Sequence, residues 1–157
     1  MNTPMQDDVP AGPPRDRDWL PLDNGGPFTD HVGDFHYAWE SESRDVPPRF
    51  GFRVAPRHCN LLPTCHGGML ATFADVVMAK AVVLVDTDRT SLPTVNLSID
   101  YLAPAPLGGW VEATVRIDRL ATSLAFLHAT FHVGETMVLR ASGVFRIYRE
   151  RTRAEGD

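Results

Sequence analysis

The chain has 157 residues, of which 43% are hydrophobic, and this length suits one domain with a single hydrophobic core. The formal net charge is −5, and 14 arginines with one lysine, Lys80, leave no basic excess for binding nucleic-acid phosphates. Two cysteines are too few for a secreted disulfide scaffold, and the first residues do not show the basic and apolar segments of a signal peptide. We therefore expect a cytoplasmic protein that does not bind nucleic acid.

Both ends of the chain are expected to lie outside the folded domain. Residues 1–18 contain four prolines and alternating charges with almost nothing to bury, which is typical of a disordered leader. Residues 19–33 mix large apolar groups with proline and glycine, and we expect them to form a loop or a short irregular helix on the body. We place one domain at residues 19–150 and a C-terminal tail at residues 151–157.

Six segments show the alternation of apolar and polar residues that predicts β-strands. Two of them precede the long apolar segment in the middle of the chain, and four follow it. The strands are predicted at Phe35–Trp39, Phe50–Val54, Val95–Tyr101, Val111–Ile117, Leu124–Val133 and Met137–Tyr148. In the last segment the alternation changes phase, and we interpret Gly143 as a bulge there.

The central segment, Gly67–Val85, has nineteen residues with only two charges, Asp75 and Lys80. Its length would just span a bilayer, but the two charges and the half-polar strands around it argue against a membrane span. A buried helix wrapped by a sheet fits better, with a bulky face on the sheet and a small face open to another helix. The small face contains Gly67, Gly68, Ala71, Asp75, Met78, Ala79 and Val82, and the bulky face contains Met69, Phe73, Val76, Val77, Lys80 and Leu84.

Two features of this helix need an explanation. A carboxylate at Asp75 costs several kcal/mol to desolvate unless a partner or a reaction uses it. Gly67 and Gly68 open the helix, although each costs about 0.5–1 kcal/mol there relative to alanine. Their missing side chains would let a ligand carbonyl approach unpaired N–H groups at the positive end of the helix. The alternatives are a structural acid bonded to a strand or an arginine, and glycines that pack closely on a strand.

The loop before the helix contains Asn60 and His66, with Cys59, Cys65 and His58 beside them. The spacing of these cysteines and histidines does not match the common zinc motifs, so we expect no metal site. A disulfide between the cysteines is also not expected in a cytoplasmic chain. We interpret His66 as a capping or packing residue rather than as a catalytic base.

Helix geometry separates the two candidate features. Asp75 lies eight residues after Gly67, which is about 12 Å along the helix axis at 1.5 Å per residue. Its side chain therefore cannot reach a carbonyl bound at the Gly67 amide of the same chain. The two features form one active site only if Asp75 comes from a second subunit, so this function would require a homodimer.

Residues 58–75 resemble the hotdog-fold acyl-CoA thioesterases of the phenylacetate-degradation type. The signature of that family is an Asn, a His-Gly-Gly six residues later and a helical Asp nine residues after the His. Here these residues are Asn60, His66-Gly67-Gly68 and Asp75. The resemblance covers roughly residues 35–148 and implies an α+β hotdog fold, in which a curved antiparallel sheet of about six strands wraps one long helix.

The resemblance implies hydrolysis of an acyl-coenzyme A to a free acid and coenzyme A, without a cofactor. Asp75 would be the base or nucleophile that acts on the thioester in the partner subunit, while the Gly67 amide would polarise the thioester carbonyl. Asn60 would place the attacking water or the substrate, and the Thr94 hydroxyl would hold the water. His66 would contribute to this catalytic group by shaping the turn.

Substrate contacts are expected from two regions of the chain. The pocket wall is expected from Gly68, Met69, Phe73 and Met78 together with residues of the partner subunit. The arginine-rich end is a candidate contact for the phosphates of coenzyme A, or else a solvated tail. The residues implied there are Arg146 and Arg149. The family also pairs its dimers into tetramers.

One residue departs from the family pattern, which usually has glycine three residues before the His. Pro63 stands there, fixes φ and removes an N–H, so the shape of the loop that presents Asn60 can differ. Two other functions stay open. The chain could be a hotdog module that binds acyl-CoA without chemistry, or a hotdog hydratase or dehydratase that uses a His-centred acid–base pair on an enoyl-CoA.

Overall fold

The computed structural model describes residues 9–23 and 26–149. Within these residues, two α-helices and nine β-strands follow one another along the chain. They are β1 Leu20–Pro21, α1 Pro27–Val32, β2 His36–Ala38, β3 Arg49–Arg53, the 3-10 turn Pro56–His58, α2 Gly67–Val85, β4 Arg89–Ser91, β5 Thr94–Tyr101, β6 Trp110–Leu120, β7 Leu124–Val133, β8 Thr136–Arg146 and β9 Tyr148–Arg149.

Seven strands form one antiparallel sheet in the order β1-β2-β3-β6-β7-β8-β5, and β4 pairs with β9 in a separate ladder. The expected α+β hotdog architecture is confirmed, and all six predicted strands belong to the large sheet. The sequence did not indicate β1 or β4, which have two and three residues and lie outside the segments with an alternation. The last predicted strand is divided by Ile147 into β8 and β9.

Helix α2 has the predicted bounds and lies at the centre of the core. By length and composition it could cross a membrane, but its buried residues pack inside the fold, as expected of a core helix. The predicted division into two faces is partly wrong. Val76 and Lys80 are half-exposed, whereas Met78 and Val82 are fully buried. A curved sheet covers more than half of the helix circumference, so the buried arc is wider than one face of the wheel.

The predicted bulge at Gly143 is wrong. Gly143 is paired in register with Leu97 on one side and Leu127 on the other. The irregularity of β8 lies at Val138, where the pairing with β7 skips one residue. A Cβ at Gly143 would lie 2.6 Å from the Phe145 ring. This glycine is therefore required by close packing in the core rather than by a bulge.

The described part of the expected leader, residues 9–18, lies against the face of the sheet opposite α2. The Gly12 carbonyl accepts hydrogen bonds from Nε and Nη2 of Arg53 at 3.2 and 3.0 Å. Directly after the leader, Trp19 packs edge-on against Trp110, with ring centroids 5.0 Å apart. These contacts hold the segment to β3 and β6. The rest of the leader, residues 1–8, and the expected tail, residues 151–157, lie outside the described residues.

Candidate active site

Helix α2 begins at a turn that is capped by a histidine side chain. His66 is the N-cap residue, and its Nδ1 accepts a hydrogen bond from the Gly68 amide at 2.8 Å. The His66 carbonyl accepts from the amides of Met69 and Leu70 at 2.9 and 3.2 Å. Among the hydrogen bonds of the described residues, the first turn leaves only the Gly67 amide without an acceptor. The expectation of two unpaired glycine amides is thus wrong for Gly68 and agrees with the structure for Gly67.

Close packing explains part of the need for glycine in this turn. The Tyr101 hydroxyl, at the end of β5, donates a hydrogen bond to the Gly67 carbonyl at 2.9 Å. A Cβ at Gly67 would lie 3.3 Å from the Tyr101 ring, and a Cβ at Gly68 would lie 3.0 Å from the ring of His66. Neither glycine adopts a positive φ. The Gly67 N–H remains at the positive end of the helix dipole, where it can donate to a carbonyl or an oxyanion.

Asp75 contacts the first residue of β5. The Thr94 hydroxyl donates a hydrogen bond to Asp75 Oδ1 at 2.5 Å. Asp75 is half-buried rather than enclosed, and no ion pair of the described residues involves it. A threonine hydroxyl that donates its proton to a carboxylate can still accept a hydrogen bond from water. The structure thus brings together the predicted acid and the residue predicted to hold the water.

Asp75 is not brought to the Gly67 amide within one chain, since eight helical residues separate the two by about 12 Å along the axis. Asn60 is exposed in the loop 59–65, and its side chain has no hydrogen bond to the described residues. One chain therefore presents two separate groups. We call Gly67 with Asn60 the amide half and Asp75 with Thr94 the acid half.

Pro63 lies in a loop that is hydrogen-bonded to residues 105–107. The Pro63 carbonyl accepts a hydrogen bond from the Leu107 amide at 2.9 Å. Two residues later, the Cys65 amide donates to the Ala105 carbonyl at 2.8 Å. The loop that presents Asn60 is therefore fixed to residues 105–107, although Pro63 itself has no N–H to donate.

A cleft of about 540 Å3 opens beside the amide half. Its walls come from α1, the 3-10 turn and the first two turns of α2. They consist of Phe28, His31, Val32, Arg57, His58, Cys59, His66, Gly68, Met69 and Thr72. Gly68 and Met69 therefore line a cavity, as expected of pocket residues. Phe73 and Met78 do not line it, because both side chains point from α2 into the core and are fully buried.

His58 fixes α1 to the rest of the site. Its Nδ1 accepts a hydrogen bond from the Ala55 amide at 3.0 Å, so the ring proton must be on Nε2, which donates to the Val32 carbonyl at 2.5 Å. Burial lowers the pKa of His58 from its ordinary value of 6.5. The buried ring is therefore neutral and holds the last residue of α1 in place.

The pKa of His58 predicts a dependence of stability on pH. Because this pKa is lower in the folded chain, the unfolded chain takes up the proton first as the pH falls below about 6.5, and acid destabilises the fold. We expect the melting temperature between pH 7.5 and pH 5 to fall on the order of 2–4 °C further for the wild type than for His58→Gln. Thermal melts of both proteins across this range measure the difference, and parallel curves would contradict the assignment.

Cys59 and Cys65 are free thiols that face each other across a short antiparallel bridge. Burial and the neighbouring Cys59 raise the pKa of Cys65 to about 12, and burial also raises the pKa of Cys59. Nucleophiles and metal ligands need the thiolate form, so neither thiol is activated. Within residues 9–23 and 26–149, no group of three His, Cys, Asp or Glu side chains could hold a metal ion.

The arginines expected to contact coenzyme A lie near the acid half. The Arg146 amide donates a hydrogen bond to the carbonyl of Pro93, the residue before Thr94, at 2.8 Å. Its exposed side chain lies over the Tyr148 ring, 6.0 Å from the ring centroid. The side chain of Arg149 lies outside what the structure describes. Arg146 is thus placed away from the cleft, at the end of the sheet where Thr94 begins β5.

A second cleft, of about 510 Å3, lies between the leader and the face of the sheet opposite α2. Its charged residues neutralise one another, since Arg17 pairs with Glu112 at 3.4 Å and both Arg17 and Arg49 pair with Glu40 at 3.4 and 2.9 Å. Both arginines that line the described part of this cleft are therefore paired with carboxylates. The cleft beside the amide half is the better candidate for a substrate.

Comparisons with known proteins match the central helix and the strands that follow it. The family described as the thioesterase superfamily matches residues 62–139, which contain α2 and most of the sheet. A protein of Pseudomonas aeruginosa that is named as a candidate esterase is 35% identical over 127 residues, which are 81% of this chain and 92% of that protein.

Two further proteins are similar to a smaller part of this chain. Mouse acyl-coenzyme A thioesterase 13 is 31% identical over 74 residues, which are 47% of this chain and 52% of that enzyme. The structure of the Escherichia coli PaaI protein, from the phenylacetic acid degradation operon, superposes with a TM-score of 0.59 at 20% identity. That match covers 64% of this chain and 72% of the other, and it supports the fold.

Proposed function

Because the chain belongs to the thioesterase superfamily, we propose that it hydrolyses the thioester bond of an acyl-coenzyme A at a site shared between two subunits. The observation that carries the proposal is the unpaired Gly67 amide at the N-terminus of α2, directly beside the cleft. The similarity to an enzyme named as an acyl-coenzyme A thioesterase supports the substrate class.

The reaction begins when the thioester carbonyl oxygen accepts a hydrogen bond from the Gly67 amide. This donor and the helix dipole stabilise the negative charge that develops on the oxygen when the carbonyl carbon is attacked. Positioning of the two reactants and one carboxylate can then suffice for hydrolysis, because a thiolate leaves readily from the tetrahedral intermediate. The scheme uses no metal or cofactor.

Asp75 acts on the carbonyl from the opposite side. As a general base it takes a proton from a water held by Thr94, and the water oxygen bonds to the carbonyl carbon. The carbon–sulfur bond then breaks, and the coenzyme A sulfur leaves with a proton while the acid is released. As a nucleophile, Asp75 would instead bond to the carbonyl carbon and displace the coenzyme A thiolate, and water would then hydrolyse the resulting anhydride to the free acid and Asp75. Asn60 helps to place the water or the substrate.

The two halves meet only between subunits. If two α2 helices pack antiparallel with Asp75 of one beside Gly67 of the other, the two-fold axis passes residue 71, halfway between them. That residue is Ala71, which is half-buried in the single chain and small enough for two helix backbones to approach. The adjacent strand β5 is an edge of the sheet and exposes Val95 by 60%, which supports pairing with a second copy.

A thiol-release assay over a panel of acyl-CoA substrates tests the proposal. The panel includes benzoyl, phenylacetyl and straight-chain thioesters, compared by kcat/KM, together with a 2-enoyl-CoA whose absorbance is followed. Stoichiometric release of coenzyme A and free acid from at least one of them is the expected result. Saturable binding without release would instead identify a binding module, and loss of enoyl absorbance without thiol release would identify a hydratase.

A further inference from the structure

We infer that the cleft between α1 and the first turns of α2 binds the acyl group of the thioester and that Phe28 determines which acyl groups it accepts. This inference rests on the proposed function, since it assigns a place to one part of that substrate. It adds α1 to the site, an element that neither the sequence motif nor the two halves include.

The cleft lies beside the residue whose amide receives the carbonyl, although Gly67 itself is not among the lining residues. His66 and Gly68, the two neighbours of Gly67 in the chain, both line it. A volume of about 540 Å3 lies within the range of small-molecule sites. A thioester with its oxygen at the Gly67 amide therefore has its acyl carbon at the edge of the cleft.

Most polar side chains of the wall already have partners within the protein, and the exception among the described lining residues is the exposed His31. His58 uses both ring nitrogens, the Thr72 hydroxyl donates to the Gly68 carbonyl at 2.9 Å, and the Cys59 thiol donates to the Ala55 carbonyl at 3.6 Å. The His66 Nδ1 caps the helix. At the rim, Arg57 pairs with Asp34 at 3.5 Å. The wall thus offers a ligand mainly the carbon surfaces of Phe28, Val32 and Met69, and this chemistry fits an apolar acyl group.

Phe28 buries little of its ring against the described residues. Helix α1 buries none of its six residues, and Phe28 is 66% exposed although it lines the cleft. The helix is nevertheless fixed, because the buried His58 ring donates to the Val32 carbonyl at its C-terminal end. An exposed aromatic ring held at the side of a cleft provides contact area for a ligand at a small entropic cost.

The test compares an acyl group that fills the cleft with one that does not. In Phe28→Ala we expect kcat/KM to fall about tenfold for phenylacetyl-CoA and hexanoyl-CoA and less than twofold for acetyl-CoA. Phe28→Leu keeps an apolar wall and is expected to retain most of the preference for the two large acyl groups over acetyl. The matched control is Phe126→Ala, an exposed phenylalanine of β7 on the opposite face of the sheet, which leaves all three values unchanged.

In kinetics and sedimentation, two results would overturn the inference. One is an unchanged ratio between the large and the small acyl groups in Phe28→Ala. The other is dissociation of the Phe28→Ala dimer in sedimentation, which would make Phe28 an interface residue. Calorimetry with phenylacetyl-CoA in the Asp75→Asn background tests the cleft without turnover, and Phe28→Ala is expected to weaken binding there about tenfold. Absence of thiol release by the wild type would count against the proposed function. Unchanged binding of phenylacetyl-CoA in Phe28→Ala would instead show that the acyl group does not occupy the cleft.

Discussion

Replacing Asp75 by Asn is expected to lower kcat for the best thioester substrate by about 10²- to 10⁴-fold. The asparagine amide cannot take a proton from water or attack the carbonyl. Its oxygen can still accept the hydrogen bond that Thr94 now donates to Asp75 at 2.5 Å, so the acid half keeps its shape. Asp75 is half-buried, and a substitution of equal size there does not open a cavity. Thiol release at saturating substrate measures the effect.

The matched control is Asp100→Asn. Asp100 lies on the same strand as Thr94, is exposed and pairs with Arg140 at 2.7 Å. Exposed ion pairs contribute little to stability, so we expect this variant to keep both its fold and its turnover. Asp75→Asn with wild-type turnover, in a protein that melts and sediments normally, would remove Asp75 from the mechanism.

Gly67→Pro is expected to lower kcat/KM by about 10²- to 10³-fold relative to Gly67→Ala. Gly67 is the first residue of α2, where proline is well accepted because no helical hydrogen bond needs its N–H. The preceding residue, His66, has φ −63° and ψ 138°, which is the conformation that a following proline requires. The substitution therefore removes the proposed donor and retains the helix.

Gly67→Ala is the control because both substitutions add a Cβ at the same place, 3.3 Å from the Tyr101 ring. Any loss from the Cβ beside Tyr101 is common to the two variants, while the replacement of the N–H by the ring Cδ is confined to proline. The same thiol-release assay compares them. Equal activity of Gly67→Pro and Gly67→Ala would show that this amide does not stabilise the transition state.

The central helix and the main strands were predictable because each depends on a local pattern. A continuous apolar run predicted the bounds of α2, and the alternation of apolar and polar side chains predicted six strands. Gly143 was misassigned because a change of phase along β8 does not reveal which neighbours are close. Its missing Cβ makes room for the Phe145 ring, and that contact depends on tertiary packing.

The motif residues of the candidate site could be predicted from the sequence, whereas the residues that form the wall of the cleft could not. The spacing of Gly67 and Asp75 on one helix led to both halves, and Thr94 does contact Asp75. The wall of the cleft could not be derived in this way, because Phe28 lies 32 residues before Asn60, where the motif begins, on a helix without a buried residue. The only signal was a phenylalanine in a segment rich in proline and glycine.

The central claim is that each active site takes Asp75 from one subunit and the Gly67 amide from the other. Co-expression of Asp75→Asn and Gly67→Pro chains with different tags, followed by two affinity steps, isolates the mixed dimer. One of its two sites then has an intact acid half and an intact amide half, and the other site has neither. We predict about half of the wild-type kcat per dimer. Activity no higher than that of the two parent variants would contradict a shared site.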